Sequence, residues 1–290
     1  MKVLLTGASG LLGGYLVSEL KDDYELVLIS HQKEVLGVDC DITDESAVER
    51  IFDSHSPEIV IHAAAISDVD FCHNNPGIAH SVNAIGTLNL AYHSSKSDAT
   101  FVYISTDYVF NGDKHSPYTE EDEPHPETIY GETKYAGEHF VSYFSEKYYT
   151  LRTGLLYGDN NDPLRDICSR LKSSLGVDVA DNQFISPTYA LDFARCLKEF
   201  LSKVMVGEGG SGIAYGIYHL ANKGELSRYE LALKVAEICN LESIFIKPFK
   251  LSEISITVKR PEYSVLSVDK FERATGLEVR PCVEALVEYL

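Results

Sequence analysis

The sequence has no tryptophan, and its 25 lysines and arginines are outnumbered by 44 aspartates and glutamates. The formal net charge of -19 argues against nucleic acid and against an anionic membrane as partners, since either needs a basic surface. An anionic small molecule stays admissible, because it needs only a local pocket rich in donors. No apolar run approaches the roughly 18 residues needed to span a membrane. The six cysteines, Cys40, Cys72, Cys168, Cys196, Cys239 and Cys282, are scattered. They form no C-x-x-C pair and share no zinc-ligand pattern with the histidines. Buried, reduced thiols of a cytoplasmic protein are the expectation, with no metal. The first residues already read as a core strand, so no leader peptide is expected. There is neither an internal repeat nor a low-complexity tract.

What is present is a regular alternation of strand and helix over the first half of 290 residues. That length suits one large domain or two intimately joined lobes. Lys2-Val3-Leu4-Leu5 is a short apolar run stopping at Thr6-Gly7, as a central parallel strand would. Gly7-Ala8-Ser9-Gly10-Leu11-Leu12-Gly13 follows, and then a helix with Leu12, Leu16 and Leu20 on one stripe. Strand, glycine turn and helix in that order admit a dinucleotide pyrophosphate to the helix amides. Gly7, Ser9, Gly10, Leu11, Leu12 and Gly13 are therefore the expected cradle.

The second strand spans residues 25–30. An acid at its end would bind the adenosine ribose of NAD. This chain has Ser30, His31, Gln32 and Lys33 there, and no carboxylate to repel a 2′-phosphate. His31 and Lys33 can accept one, which favours NADP, with NAD as the alternative. Equally, both are ordinary solvent-facing turn residues. Residues 38–43 read as a third strand and its exit, with a helix over 44–55 capped by Thr43. Asp41 either accepts from the adenine amino group while Ile42 packs on the ring, or is a turn residue. Residues 58–65 read as a strand ending in Ala63, Ala64 and Ala65, small enough to leave room for a flat cofactor. One long helix is expected over 75–94, with Pro76 at its first position. Asn83 inside it is a poor helix former, so it has either a functional or a kink-stabilising role.

The chain is organised around residues 100–134. A buried strand over 100–104 ends in the hydroxyls of Ser105 and Thr106. The loop over 107–126 is long enough to be functional. The helix after it carries Tyr130 and Lys134 four apart, on one face. A phenol and an ammonium there, near a strand-end hydroxyl, can deliver a proton to a carbonyl. A sixth strand is expected over 148–152. Later come helices over 162–174, 189–202 and 283–290, a flexible loop at 207–212 and a strand over 216–221. A capping box, Ser227 to Glu230, opens a helix running to Cys239. The expected fold is α/β: a Rossmann-type doubly wound parallel sheet with a smaller interleaved C-terminal lobe. Residues 1–153, rejoined by 187–221, would bind dinucleotide. Residues 154–186 and 222–290 would form the substrate-binding lobe.

With these residues in view, the chain resembles the extended short-chain dehydrogenase/reductase family. Within it, the chain is similar to dTDP-4-dehydrorhamnose reductases. The resemblance runs in order through the whole chain. It is carried by the glycine turn, Asp41-Ile42-Thr43-Asp44, His62-Ala63-Ala64-Ala65 and Val82-Asn83-Ala84. Its most specific string is Ser105-Thr106-Asp107-Tyr108-Val109-Phe110, followed by Tyr130-Gly131-Glu132-Thr133-Lys134 and Arg260-Pro261-Glu262-Tyr263-Ser264.

The resemblance implies hydride transfer from NADPH to the keto group of a nucleotide-linked sugar. Tyr130 would be the acid, its phenol drawn down from about 10 by the Lys134 ammonium and the nicotinamide charge. Lys134 would also hold the nicotinamide ribose, and Thr106 would hydrogen-bond the carbonyl oxygen. Ala63, Ala64, Ala65, Asn83, Tyr130 and Lys134 would line the cofactor side. Val69, Thr106, Asp107, Tyr108, Tyr130, Leu155 and Arg260 would line the sugar side. A homodimer is a family expectation. Two departures fall in the substrate half. Leu155 stands where the family usually has a tryptophan, so an aromatic face and an N–H donor are gone. Phe184-Ile185-Ser186 replaces a glutamine-glycine pair. A dehydratase is disfavoured because Thr106 is followed by one carboxylate, Asp107, and then Tyr108. A 4-epimerase is weakened by the missing acid near residue 30. The rival of a different class is a non-catalytic regulatory subunit, similar to the methionine adenosyltransferase beta subunit.

Overall fold

The computed structural model describes residues 1–30, 37–159, 162–205, 212–253 and 258–290. Its strands are β1 (Lys2–Thr6), β2 (Glu25–Ser30), β3 (Val38–Asp39), β4 (Ile59–His62), β5 (Thr100–Thr106), β6 (Tyr148–Thr153) and β7 (Leu156–Tyr157). Then come β8 (Val177–Ala180), β9 (Phe184–Ile185), β10 (Thr188–Tyr189), β11 (Gly216–His219), β12 (Leu226–Ser227) and β13 (Ile246–Phe249). Seven of these form one sheet, all parallel, in the order β11-β6-β5-β4-β1-β2-β3. The order reverses between β1 and β4. In open α/β sheets the crevice beyond the strand ends at such a reversal is where ligands bind.

The apolar strands are continuous because both faces of the sheet are covered. Val3 and Leu5 point to one face, packed with Leu16 and Leu20 of α1 (Leu11–Leu20) and Phe193 and Leu197 of α8 (Ala190–Met205). Leu4, Val60 and Phe101 point to the other. There they meet Val48 and Phe52 of α2 (Glu45–His55) and Leu90 of α5 (Gly86–Lys96). On that same face lies α6 (Ile129–Phe144), which packs on α5 and β5. After β10 the chain comes back to the sheet: α8 packs on α1, and β11 pairs with β6 at the edge.

The other C-terminal elements build a separate core. Leu164 and Cys168 of α7 (Pro163–Lys172) meet Leu231 and Val235 of α9 (Arg228–Ile238) and Leu286 of α11 (Cys282–Tyr289). Three two-stranded ladders, β7 with β10, β8 with β13 and β9 with β12, complete it. All six cysteines are free thiols. Among the described residues there is no helix long and apolar enough to cross a membrane, and no His/Cys/Asp/Glu cluster fit to hold a metal.

Several expected boundaries move. Helix α2 is capped by Asp44, whose Oδ1 accepts from the Ser46 and Ala47 amides, because Thr43 turns its hydroxyl to Asp41 instead. Strand β4 stops at His62, so the three alanines lie beyond it. The single helix over 75–94 is three pieces: α4 (Pro76–His80), a π-helical turn (Ser81–Ile85) and α5. Strand β5 extends through Ser105 and Thr106, while β11 ends two residues early. Helices α3 (Val69–Asn74) and α10 (Asp269–Thr275) and the short ladders had no expected counterpart. Of the expected loop at 207–212, all but Gly212 lies outside the described residues.

Candidate active site

At the end of β1, Gly7 takes φ +74°, and a Cβ on it would stand 2.6 Å from the Ala64 amide nitrogen. A Cβ on Gly13 would stand 2.0 Å from the Gly7 carbonyl oxygen. Both positions are closed to any side chain, and the turn can fold tightly only with glycine there. Gly10 caps α1 without a side-chain hydrogen bond, so the first-turn amides are available to a phosphate. Leu11 is half-buried and Leu12 is buried behind the turn. The Ser30 hydroxyl donates to Ser9 Oγ at 3.2 Å, tying the end of β2 to the turn. His31 and Lys33, the expected phosphate contacts, lie outside the described residues.

Asp41 forms an Asx turn, its Oδ1 accepting from the Thr43 amide at 2.9 Å and hydroxyl at 2.8 Å. Ile42 is buried on Gly86 of α5, and its carbonyl accepts from Asn89 at 2.9 Å. Ala63, Ala64 and Ala65 are half-buried at the crevice, with the Ala64 amide donating to Thr6 Oγ1 at 3.3 Å.

Below the alanines lies His62, fully buried between Thr6 (Nδ1 to Oγ1, 2.7 Å) and Thr87 (Nε2 to Oγ1, 2.9 Å). The Thr87 proton goes to the Asn83 carbonyl at 2.6 Å, which can only accept. His62 Nε2 must therefore carry the hydrogen, and Nδ1 accepts from Thr6. Burial, with Lys134 nearby, pushes His62 well below its ordinary range, so it is neutral. Sequence reasoning gave His62 no role of its own. Its one signal is a histidine at the end of an apolar strand.

Asn83 sits in the π-helical turn. Its amide closes on both the Ile66 amide (2.8 Å) and carbonyl (2.9 Å) and also donates to Thr133 of α6 at 3.0 Å. It clamps the crevice wall to the helix of Tyr130 and Lys134. A π-turn with a buried Asn matches the kink-stabilising alternative.

Thr106, Tyr130 and Lys134 meet at the C-terminal end of β5. Lys134 is buried, donates to the Ile104 carbonyl at 2.7 Å and lies 4.1 Å from the Tyr103 ring centroid. Burial pushes it down to about 7, with Glu138 opposing. Tyr130 is half-buried on the crevice side. Burial pushes its phenol up, the Thr106 hydroxyl holds it down, and the Asp107 charge adds to the rise. In the protein alone, without a nicotinamide beside it, desolvation therefore sets the phenol high. A protonated phenol is the form a proton donor needs.

Next to them, Thr106 donates to Asp107 Oδ1 at 3.1 Å and Ser264 donates to Oδ2 at 2.5 Å. Burial lifts Asp107 to about 6 against those two hydrogen bonds and the Arg228 charge. The Tyr108 ring meets Tyr130 edge-on, with centroids 5.8 Å apart. Val69 opens α3, and Arg260 pairs with Asp70 on that helix at 2.8 Å. Leu155 is half-buried against the C-terminal core, and its carbonyl accepts from the Thr188 amide at 2.7 Å.

A groove of about 360 Å³ runs between α7, β8 and α9 and is lined by Ile167, Arg170, Val179 and Arg228 among others. It does not include Thr106 or Tyr130. Arg228 links the two places, because its charge also reaches Asp107 and Tyr108. Sequence reasoning missed Arg228, which it met only as part of a capping box.

Comparison with known proteins identifies the family. The model of the RmlD substrate binding domain matches residues 1–290. The chain is 35% identical to the spore coat polysaccharide biosynthesis protein SpsK of Bacillus subtilis, over 100% of this chain and 96% of that one. It is 34% identical to the dTDP-4-dehydrorhamnose reductase of Mycolicibacterium smegmatis, over 98% and 84%. The solved dTDP-4-dehydrorhamnose reductase of Bacillus anthracis, in complex with NADP, superposes with a TM-score of 0.89. That match has 33% identity and covers 99% of this chain and 98% of that chain. With the glycine cradle, the Thr106–Tyr130–Lys134 site and a family match along the whole chain, this protein belongs to the RmlD substrate-binding-domain family.

Proposed function

We propose that the protein reduces the 4-keto group of a nucleotide-linked 6-deoxy sugar, using NADPH, as a dTDP-4-dehydrorhamnose reductase does. The observation that carries this is the meeting of Thr106, Tyr130 and Lys134 at one strand end, beside a glycine cradle that no side chain could enter. The cradle and the uncapped start of α1 suit a pyrophosphate, and Ser30 at the end of β2 brings no carboxylate against a 2′-phosphate. The bound reduced nicotinamide supplies the hydride.

As hydride arrives, the carbonyl oxygen gains negative charge. Tyr130 donates the proton, and Thr106 positions the oxygen. Lys134 stabilises the phenolate that results and holds the nicotinamide ribose. Asp107, Tyr108, Val69, Leu155 and Arg260 line the sugar, and Arg228 with the adjoining groove takes the nucleotide. In this proposal residues 1–153 with 187–221 hold the cofactor, and 154–186 with 222–290 hold the substrate. The regulatory-subunit alternative is weakened because all three catalytic groups are retained.

The test is NADPH with a dTDP-4-keto-6-deoxy sugar, followed at the nicotinamide absorbance band. Loss of absorbance supports the reductase. Tight NADPH binding with no oxidation across a panel of nucleotide keto-sugars would remove it. A tenfold preference for NADH would overturn the cofactor assignment.

A further inference from the structure

We propose that Glu138 is a positioning residue for this chemistry: gripped by Arg152 and Ser105, it keeps Lys134 as an ammonium beneath β5, one helical turn from Tyr130. The proposal rests on the reductase reading only for what Lys134 does to the nicotinamide ribose. Tyr130, Lys134 and Glu138 fall at i, i+4 and i+8 of α6 and so share a face.

Glu138 is 4% exposed, Lys134 2% and Arg152 1%. Arg152 binds both carboxylate oxygens, Nε to Oε1 at 2.9 Å and Nη2 to Oε2 at 2.7 Å. The hydroxyl of Ser105, the residue before Thr106, adds a third bond to Oε1 at 2.6 Å. These three hydrogen bonds hold the carboxylate in one place. Lys134 does not close on it; the ammonium donates to the Ile104 carbonyl, and Glu138 acts through space.

The other groups facing Lys134 cannot replace that charge. Tyr103 on β5 is held protonated by burial, and His62 on β4 is neutral. Tyr130 on α6 is held protonated too. Arg152 itself adjoins neutral His219 on β11 and half-buried Glu120, both of which feel its charge. Burial alone takes Lys134 towards a neutral amine, and Glu138 opposes it.

NADPH affinity, followed by fluorescence titration across neutral and mildly alkaline pH, tests this without turnover. Wild-type affinity should fall as Lys134 loses its proton, a step missing from Lys134→Met. In Glu138→Gln the step should move to lower pH by about one unit. The double variant Glu138→Gln/Arg152→Met removes both buried charges together, a replacement that folds tolerate well. Because the Arg152 cation disfavours a second ammonium nearby, losing it too should return part of that displacement. If the Glu138→Gln profile coincides with the wild type, or if wild type and Lys134→Met share one profile, the proposal fails. Failure of the keto-sugar assay would leave this binding result standing, so the two can be told apart.

Discussion

The Ser264 hydroxyl donates to Asp107 Oδ2 at 2.5 Å across 157 positions of sequence, joining a late C-terminal segment to the end of β5. Asp107 is buried, and its carboxyl lies at about 6 rather than 3.8. A raised native value means the folded state binds this proton more tightly than the unfolded chain. Rising pH between 3.8 and about 6 therefore costs the folded state stability, and the cost is level above that window. Asp107→Asn removes the group. Its stability relative to wild type should climb across that window and then stay constant, as read by urea denaturation at a series of pH values. A difference that ignores pH would show that Asp107 titrates normally.

Tyr130→Phe should lower turnover by about 10²- to 10⁴-fold, the usual contribution of a general acid. NADPH affinity should change little, because the cradle and Lys134 are untouched. Stopped-flow turnover and a fluorescence titration separate the two. Equal loss of both would place Tyr130 among the binding groups instead.

Arg152→Met leaves the Glu138 carboxylate buried without its cation. The expected loss of stability is about 3–5 kcal/mol. Adding Glu138→Gln should recover most of it, since the buried charge is then gone. A denaturation series on the two single variants and the double variant yields the coupling energy directly.

Neighbouring glycines in the first turn should behave oppositely. Gly13→Ala puts a Cβ 2.0 Å from the Gly7 carbonyl oxygen, so the turn must open and NADPH binding should be lost. Gly14→Ala meets nothing within 4 Å and lies inside α1. It should raise stability by about 0.5–1 kcal/mol, with binding unchanged. Thermal melts and cofactor titration check both.

Because the chain has no tryptophan, Leu155→Trp installs a single indole. If Leu155 lines the sugar pocket, adding a dTDP-sugar should change the indole emission, with half-saturation near the substrate KM. Emission indifferent to substrate would show that Leu155 serves only the C-terminal core.

The first half of the fold was legible because its signals are local and periodic. Two-face burial makes β1, β4 and β5 continuous apolar runs, and α1 repeats leucine at positions 12, 16 and 20. The C-terminal ladders were not, because strands of two to four residues are too short to display a period. The π-helical turn at Asn83 was half legible: a buried asparagine in a helix announces a defect, but not that its amide closes on the Ile66 backbone.

The sequence by itself determined the glycine cradle and the Tyr130–Lys134 spacing, since turn geometry and the helical repeat are properties of adjacent residues. Only the tertiary structure decided the charge state of what those residues carry. Burial raises the Tyr130 phenol, lowers Lys134 and sets Glu138, itself held by Arg152 from β6, against that lowering. Desolvation depends on everything packed around a group, and the partners that offset it, such as Ser264 for Asp107, come from far along the chain.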